Sequence, residues 1–231
     1  MPATIKINSG SDTGYSIKIQ HGLIERLGIE ILRFNESVEN EILIITDEEI
    51  SALYLQSVLI NFHGCPKPED MKVRICEILI NSDEAKNFSA LEKLLEKISE
   101  FNPSKNCVIA ALGSEAICNA SAFAALCCGG LRLVLVPTSV EAMINSVKGC
   151  ASLRLSGKKQ AEIFFTPSLI LCDIDSLKTL TPDKYKRGID TAFNISKESA
   201  PELVKIFERG EANENIEKII EVLIKKIKNI L

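Results

Sequence analysis

The residues best placed to do chemistry lie between Cys107 and Ser139, in the stretch CVIAALGSEAICNASAFAALCCGGLRLVLVPTS. Gly113 closes an apolar run, and Ser114-Glu115 leads into an alanine-rich run of helical length from Ala116 to Cys128. A strand that ends in a glycine and feeds a helix can bind an anion, because the backbone can come close and the first helical N–H groups are free. Glu115 opposes that use: a carboxylate there satisfies the same dipole and gives a self-capped helix instead of a ligand site. Cys118, near the same helix end, gains thiolate character if the dipole reaches it, or serves as a small hydrophobe in helix packing. The two histidines, His21 and His63, have no neighbour at ligand spacing, so a zinc site built from this chain alone would be poor.

These side chains need a scaffold, and the apolar runs supply one. Cys107 to Leu112 and Leu131 to Val136 are short runs without polar alternation, which suits strands covered by helices on both faces, so the unit reads as βαβ in a parallel sheet. Upstream, Thr4 to Ile7 and Tyr15 to Gln20 alternate around a SGSDTG turn cluster and form an antiparallel pair. Leu23 to Phe34 follows a helical period, and Glu41 to Ile45 is a buried strand. Thr46-Asp47 then caps a helix through Leu53 and Val58. Lys72 to Leu79 is a further strand, Asn81 to Glu84 a turn, and Ser89 to Phe101 an amphipathic helix with Leu91, Leu94, Leu95 and Ile98 on one face. After Pro137 come a short helix at Ala142 to Val147, a hairpin around Ser156-Gly157-Lys158 and a buried strand at Ser168 to Asp173. From Pro182 all segments are helical, the last placing Ile216, Ile219, Ile220, Leu223, Ile224, Ile227 and Leu231 on one stripe behind an N-cap at Asn213.

Composition narrows the functions. With 231 residues and 46% hydrophobic content, the chain can bury one α/β core with a small appendage. Lys and Arg number 27 against 31 Asp and Glu, with no basic block before the last helix, so no nucleic-acid footprint is present. No apolar run reaches the length of a membrane span and the N-terminus lacks a signal peptide's regions, so the expectation is a cytoplasmic protein with no membrane partner. The eight cysteines form no CxxC pair and read as reduced core thiols.

Several segments taken together resemble 3-dehydroquinate synthase. Tyr15 to Leu23 is similar to the family's YxIxIGxGL, Thr46 to Tyr54 to TDxNVxxLY, and Ser82 to Lys86 to GExxK. Ala111-Leu112-Gly113 matches the start of ALGGGxxGDxxGF, Val136 to Ser139 matches VPTT, Gly157-Lys158 matches GKN, and Asp173 to Leu180 matches DxxxLxTL. Order and spacing agree over most of residues 15–190. The resemblance implies an α/β fold: a Rossmann-like nucleotide-binding domain over residues 1–180, mostly parallel with helices on both faces, and a short helical remnant of a metal-binding domain over residues 181–231. It also implies an NAD-dependent lyase of the shikimate pathway, in aromatic amino acid biosynthesis, that forms 3-dehydroquinate by transient oxidation, phosphate elimination, reduction and ring closure.

Carried over residue by residue, the resemblance puts Asp47, Asp83, Lys86, Gly113, Ser114, Thr138, Ser139, Lys158, Thr179 and Leu180 at the cofactor. It also shows departures. Of the family's glycine loop only Gly113 persists, followed by Ser114 and Glu115, with Cys118 and Asn119 at the later motif positions. Where the family has a catalytic aspartate this chain has Asn145; two lysines become Ala151 and Asn194; and Thr191 stands at a zinc-binding glutamate. The remaining ligands of the family are histidines beyond the position of Leu231. The expectation is a catalytically impaired pseudoenzyme that keeps NAD and holds no zinc. The alternatives are an active synthase completed by another chain, and a non-enzymatic module in which a second copy or another protein covers apolar surface left exposed on the C-terminal helices.

Overall fold

A computed structural model describes residues 3–7, 14–34, 39–66, 68–69, 71–155 and 159–230. Strands β1 (Ala3–Ile7) and β2 (Tyr15–Gln20) pair antiparallel, with Ile5 opposite Ile17. Helix α1 (Leu27–Phe34) leads to β3 (Glu39–Thr46), which is followed by α2 (Glu48–Ile50), a wide π turn (Ser51–Leu55) and α3 (Gln56–Gly64) as one continuous rod. Next come β4 (Lys72–Leu79), α4 (Phe88–Phe101), β5 (Val108–Gly113), α5 (Glu115–Cys127), β6 (Arg132–Pro137) and α6 (Val140–Asn145). The hairpin β7 (Cys150–Leu155) and β8 (Lys159–Phe164) precedes β9 (Leu169–Asp173), and α7 (Pro182–Ser199), α8 (Pro201–Glu208) and α9 (Ile216–Ile230) complete the fold.

The main sheet has seven strands in the order β1-β2-β9-β6-β5-β3-β4, and every pairing but β1 with β2 is parallel. Alternate residues of each central strand join different cores. Leu43, Ile45, Ile109, Ala111, Leu133 and Leu135 face α4 to α9. Ile42, Ile44, Val108, Ala110, Val134 and Val136 face α1 and α3. Two buried faces explain why these strands are apolar throughout, and the architecture is the Rossmann-type one expected. Among β4, β3, β5, β6 and β9 the chain reverses its direction of travel between β3 and β5, and at such a switch point the carboxyl ends of the strands open a crevice.

Three expectations are corrected. The helical period from Leu23 begins as turns closed by Arg26 N to Leu23 O at 3.1 Å and Leu27 N to Ile24 O at 3.2 Å, and α1 starts only at Leu27; the buried Asp173 carboxylate pins the entry, accepting from Gly22 N at 2.9 Å and Ile24 N at 2.8 Å. The C-terminal helices do not present a bare apolar stripe: Ile219, Ile220, Leu223 and Ile224 of α9 are fully buried and Leu203 of α8 nearly so, in the same cluster as β2, α5 and α6. At about 1.5–3 kcal/mol per buried aliphatic side chain, that stripe is a large part of the core, not an appendage awaiting a partner. The last helix also begins at Ile216, two residues later than an N-cap at Asn213 predicts. The turn residues 9–13 and 156–158 lie outside the described residues.

Candidate functional site

The crevice at the switch point is a cleft of about 750 Å³. Asp47, Asp83, Lys86, Ser114, Thr138, Ser139, Thr179 and Leu180 all line it, although they come from widely separated segments. Gly113 sits beneath it at the end of β5, and Lys158 lies outside the described residues. A smaller cavity of about 130 Å³ adjoins, and Glu115, Asn119 and Ser152 line both. Asn145 and Ala151 line the smaller one, so the structure brings these two together beside the cleft. Asn194 and Thr191 lie further along α7, and neither lines either space; Asn194 accepts from Lys197 Nζ at 3.4 Å.

Each wall has a local cause. Asp47 follows β3 and caps α2, its Oδ1 accepting from Ile50 N at 2.9 Å, so one carboxylate oxygen is already engaged. Gly113 has φ +156°, and a Cβ there would stand 3.0 Å from Ile117 Cγ1, which explains why glycine alone survives of the loop. The Thr138 N–H donates to the Gly113 carbonyl at 3.0 Å and locks β6 to β5 at the cleft edge. Ser139 caps α6, its Oγ accepting from Ala142 N at 3.2 Å. Thr179 Oγ1 donates to the Ser176 carbonyl at 2.8 Å and meets Tyr54 Oη at 3.0 Å, joining the two rims. Lys86 pairs with Asp83 at 3.2 Å on an exposed turn.

The helix-capping expectation for α5 needs correction. Ser114 occupies the N-cap position but makes no capping bond; its hydroxyl meets Ser82 Oγ at 2.9 Å. Glu115 does not cap either: its Oε1 accepts from Asn145 Nδ2 at 3.1 Å, across from α5 to α6. Burial raises the Glu115 pKa above the usual carboxylate value, the Asn145 bond opposes the shift and nearby Glu141 adds to it. Cys118 is buried and its thiol is pushed up to about 12 by desolvation, so the packing reading holds for it.

The spacing analysis missed two cations. Arg154 on β7 and Arg187 on α7 line the cleft, with no ion pair to any described residue. Lys184 and Gly188 line it too, so the three-and-four spacing from Lys184 was the available signal for Arg187. At Gly188 an added Cβ would approach Val140 Cβ to 2.8 Å, which is how closely α7 packs on α6. Among the described residues no group of three or more His, Cys, Asp and Glu is placed to hold a metal ion. Among them, too, no helix is long and apolar enough to cross a membrane.

Comparison with known proteins points to one family and one fold. A family profile described as the 3-dehydroquinate synthase N-terminal region matches residues 77–187. The chain is 26% identical over 217 residues to a 3-dehydroquinate synthase of Prochlorococcus marinus subsp. pastoris, covering 92% of this chain and 57% of that protein. It is 31% identical over 180 residues to the 3-dehydroquinate synthase of Rhizobium leguminosarum bv. trifolii, covering 77% of this chain and 46% of the relative. The chain therefore spans about half the length of the curated relatives it matches. Among solved structures, 2-epi-5-epi-valiolone synthase from Streptomyces hygroscopicus subsp. jinggangensis, with NAD+ and Zn2+ bound, superposes with a TM-score of 0.73 at 15% identity, over 97% of this chain and 62% of the other. A 2-deoxy-scyllo-inosose synthase complexed with carbaglucose-6-phosphate, NAD+ and Co2+ gives 0.67 at 18% identity over 84% and 52%. At these identities the solved structures establish the fold alone.

Proposed function

Because the chain is related to the 3-dehydroquinate synthase family, we propose that it binds a nicotinamide dinucleotide in the switch-point cleft and does not by itself carry out the family's metal-dependent cyclisation. One observation carries the first half: eight of the ten residues that sequence resemblance assigns to the cofactor line a single cleft whose size suits a dinucleotide. The fit is partial in one respect. The β5–α5 turn keeps the glycine that lets backbone approach a pyrophosphate, while Glu115 brings a carboxylate to the same place. When bound, the nicotinamide would accept and return a hydride; the chain's own contribution is the cleft wall of Ser114, Thr138 and Thr179.

The second half rests on the smaller cavity. Deprotonating an alcohol for hydride transfer and expelling phosphate require a base and cations at the developing charges. Asn145 and Ala151 can supply neither at their positions, and the carboxylates and amine that do line the cavity, Glu115, Glu162 and Lys148, stand elsewhere in its wall. The donor set also does not fit zinc: Thr191 offers a hydroxyl on α7, and no second ligand converges on it among the described residues. On this reading the described residues bind the dinucleotide without supplying the complete reaction machinery.

The test is calorimetric titration with NAD+ alongside elemental analysis and a phosphate-release assay on the family's seven-carbon phosphorylated keto acid with zinc added. The reading predicts saturable one-to-one binding of NAD+, no stoichiometric zinc and no phosphate release. Release above background by the isolated chain would overturn it, as would absence of any NAD+ binding.

A further inference from the structure

Resting on that dinucleotide reading, we propose that Glu115 limits the affinity of the cleft: its carboxylate, held at the first turn of α5 where the two cavities meet, repels the pyrophosphate and sets how tightly the cleft holds its ligand. Two opposed elements meet here. Helix α5 runs for 13 residues from the cleft floor, and no side chain caps its N–H groups, because Ser114 Oγ is turned to Ser82. That end attracts a phosphate. Glu115, the first residue of the same helix, opposes it with a carboxylate that is negative when ionised.

The carboxylate cannot swing away freely. It is partly buried, and Asn145 Nδ2 holds Oε1 from α6 at 3.1 Å. The groups around it give little relief. Glu141 on α6 lines the same cleft and adds negative charge, Glu162 on β8 lines the smaller cavity, and Lys148 is the one cation there among the described residues. Arg154 and Arg187 provide the cleft's unpaired positive charge from β7 and α7. The cleft thus has cations to hold phosphates but a resident anion on the helix end that would otherwise receive them. Such a built-in repulsive element changes affinity without changing the fold.

Burial already biases Glu115 towards its neutral form, so acidification should relieve the repulsion. The discriminating variant is Glu115→Gln, which keeps an oxygen acceptor for Asn145 and removes only the charge. NAD+ would be titrated by calorimetry into wild type and variant at about pH 8 and about pH 5.5, each in two buffers of different ionisation enthalpy. The expected result is a Kd for the variant lower by about tenfold at the higher pH, as for removal of one like charge in a partly desolvated site. The wild type should gain affinity and take up a proton on binding as the pH falls, while the variant stays flat. Glu141→Gln, a change on the exposed rim, should move the Kd less. Equal affinities for wild type and Glu115→Gln at the higher pH, or tighter binding by the wild type, would overturn the proposal and leave the dinucleotide reading intact. No binding by either, with both folded by circular dichroism, would overturn the dinucleotide reading and this inference with it.

Discussion

Replacing Ile220 by alanine tests whether the C-terminal helices belong to the core. Ile220 is fully buried on α9, in a cluster that includes Ile17 and Ile19 of β2 and Met143 and Ile144 of α6. The change removes three carbons, about 2.4 kcal/mol of transfer free energy at about 0.8 kcal/mol each. A cavity left in a close-packed interior adds to this, and buried Ile→Ala changes cost about 2–5 kcal/mol. Alanine's better helix propensity returns about 0.4 kcal/mol. The net expectation is a loss of about 3 kcal/mol, read as a lower urea midpoint with unchanged slope, and a fall in Tm of roughly 6–12 °C for a chain of this length. Lys225→Ala, on the exposed side of α9 where Lys225 pairs with Glu221, is the control and should cost no more than about 0.5 kcal/mol. A loss below about 0.5 kcal/mol for Ile220→Ala, or a gain from the better helix former, would refute the reasoning and show α9 detached from the domain.

Other parts of the account can be tested separately. Asp173 is buried and accepts from the N–H groups of Gly22, Ile24 and Asp175, so Asp173→Ala should cost about 3 kcal/mol in chemical denaturation and loosen residues 21–26 to hydrogen exchange. Alkylation at neutral pH followed by mass spectrometry should label the exposed Cys127 and Cys150 quickly and spare Cys107 and Cys118, whose thiols burial pushes up to about 12. Rapid labelling of Cys118 would contradict its packing role. Because the folded-state pKa of Glu115 is raised, that group favours the fold only while protonated, and its contribution is lost as pH rises through the folded value. Glu115→Gln should therefore raise Tm relative to wild type at neutral pH, with the difference vanishing below the ordinary carboxylate range; a difference that persists in acid would point to packing instead.

The central sheet was legible because its strands are covered on both sides. Ile42 to Ile45, Val108 to Leu112 and Leu133 to Val136 are apolar at every position, which only a doubly covered strand tolerates. The face of α4 was legible from spacing, and Leu91, Leu94 and Ile98 are buried as their period requires. The onset of α1 was not: residues 23–27 form turns closed three residues apart, Arg26 N to Leu23 O and Leu27 N to Ile24 O, and the chain entering them is pinned at Gly22 and Ile24 by Asp173, some 150 residues away in sequence. The stripe of α9 was visible, but its partners were not: periodicity says that a face is apolar and leaves open what covers it. The site was half legible. Residue types at motif spacings led to the cleft, yet the bond between Glu115 and Asn145 joins two positions that each read as a loss when taken alone. Arg154 and Arg187 carried no motif, and only the packing of β7 and α7 around the cleft brings them to it.

The central claim, a dinucleotide held where the chain turns back between β3 and β5, can be read most directly from hydrogen exchange with and without saturating NAD+. The account predicts slowed exchange in peptides that contain Gly113 to Ala116, Thr138 to Ser139 and Thr179 to Leu180, with the β4 edge strand unchanged. Protection confined to β4 or to the C-terminal helices, or no protection at all, would contradict it.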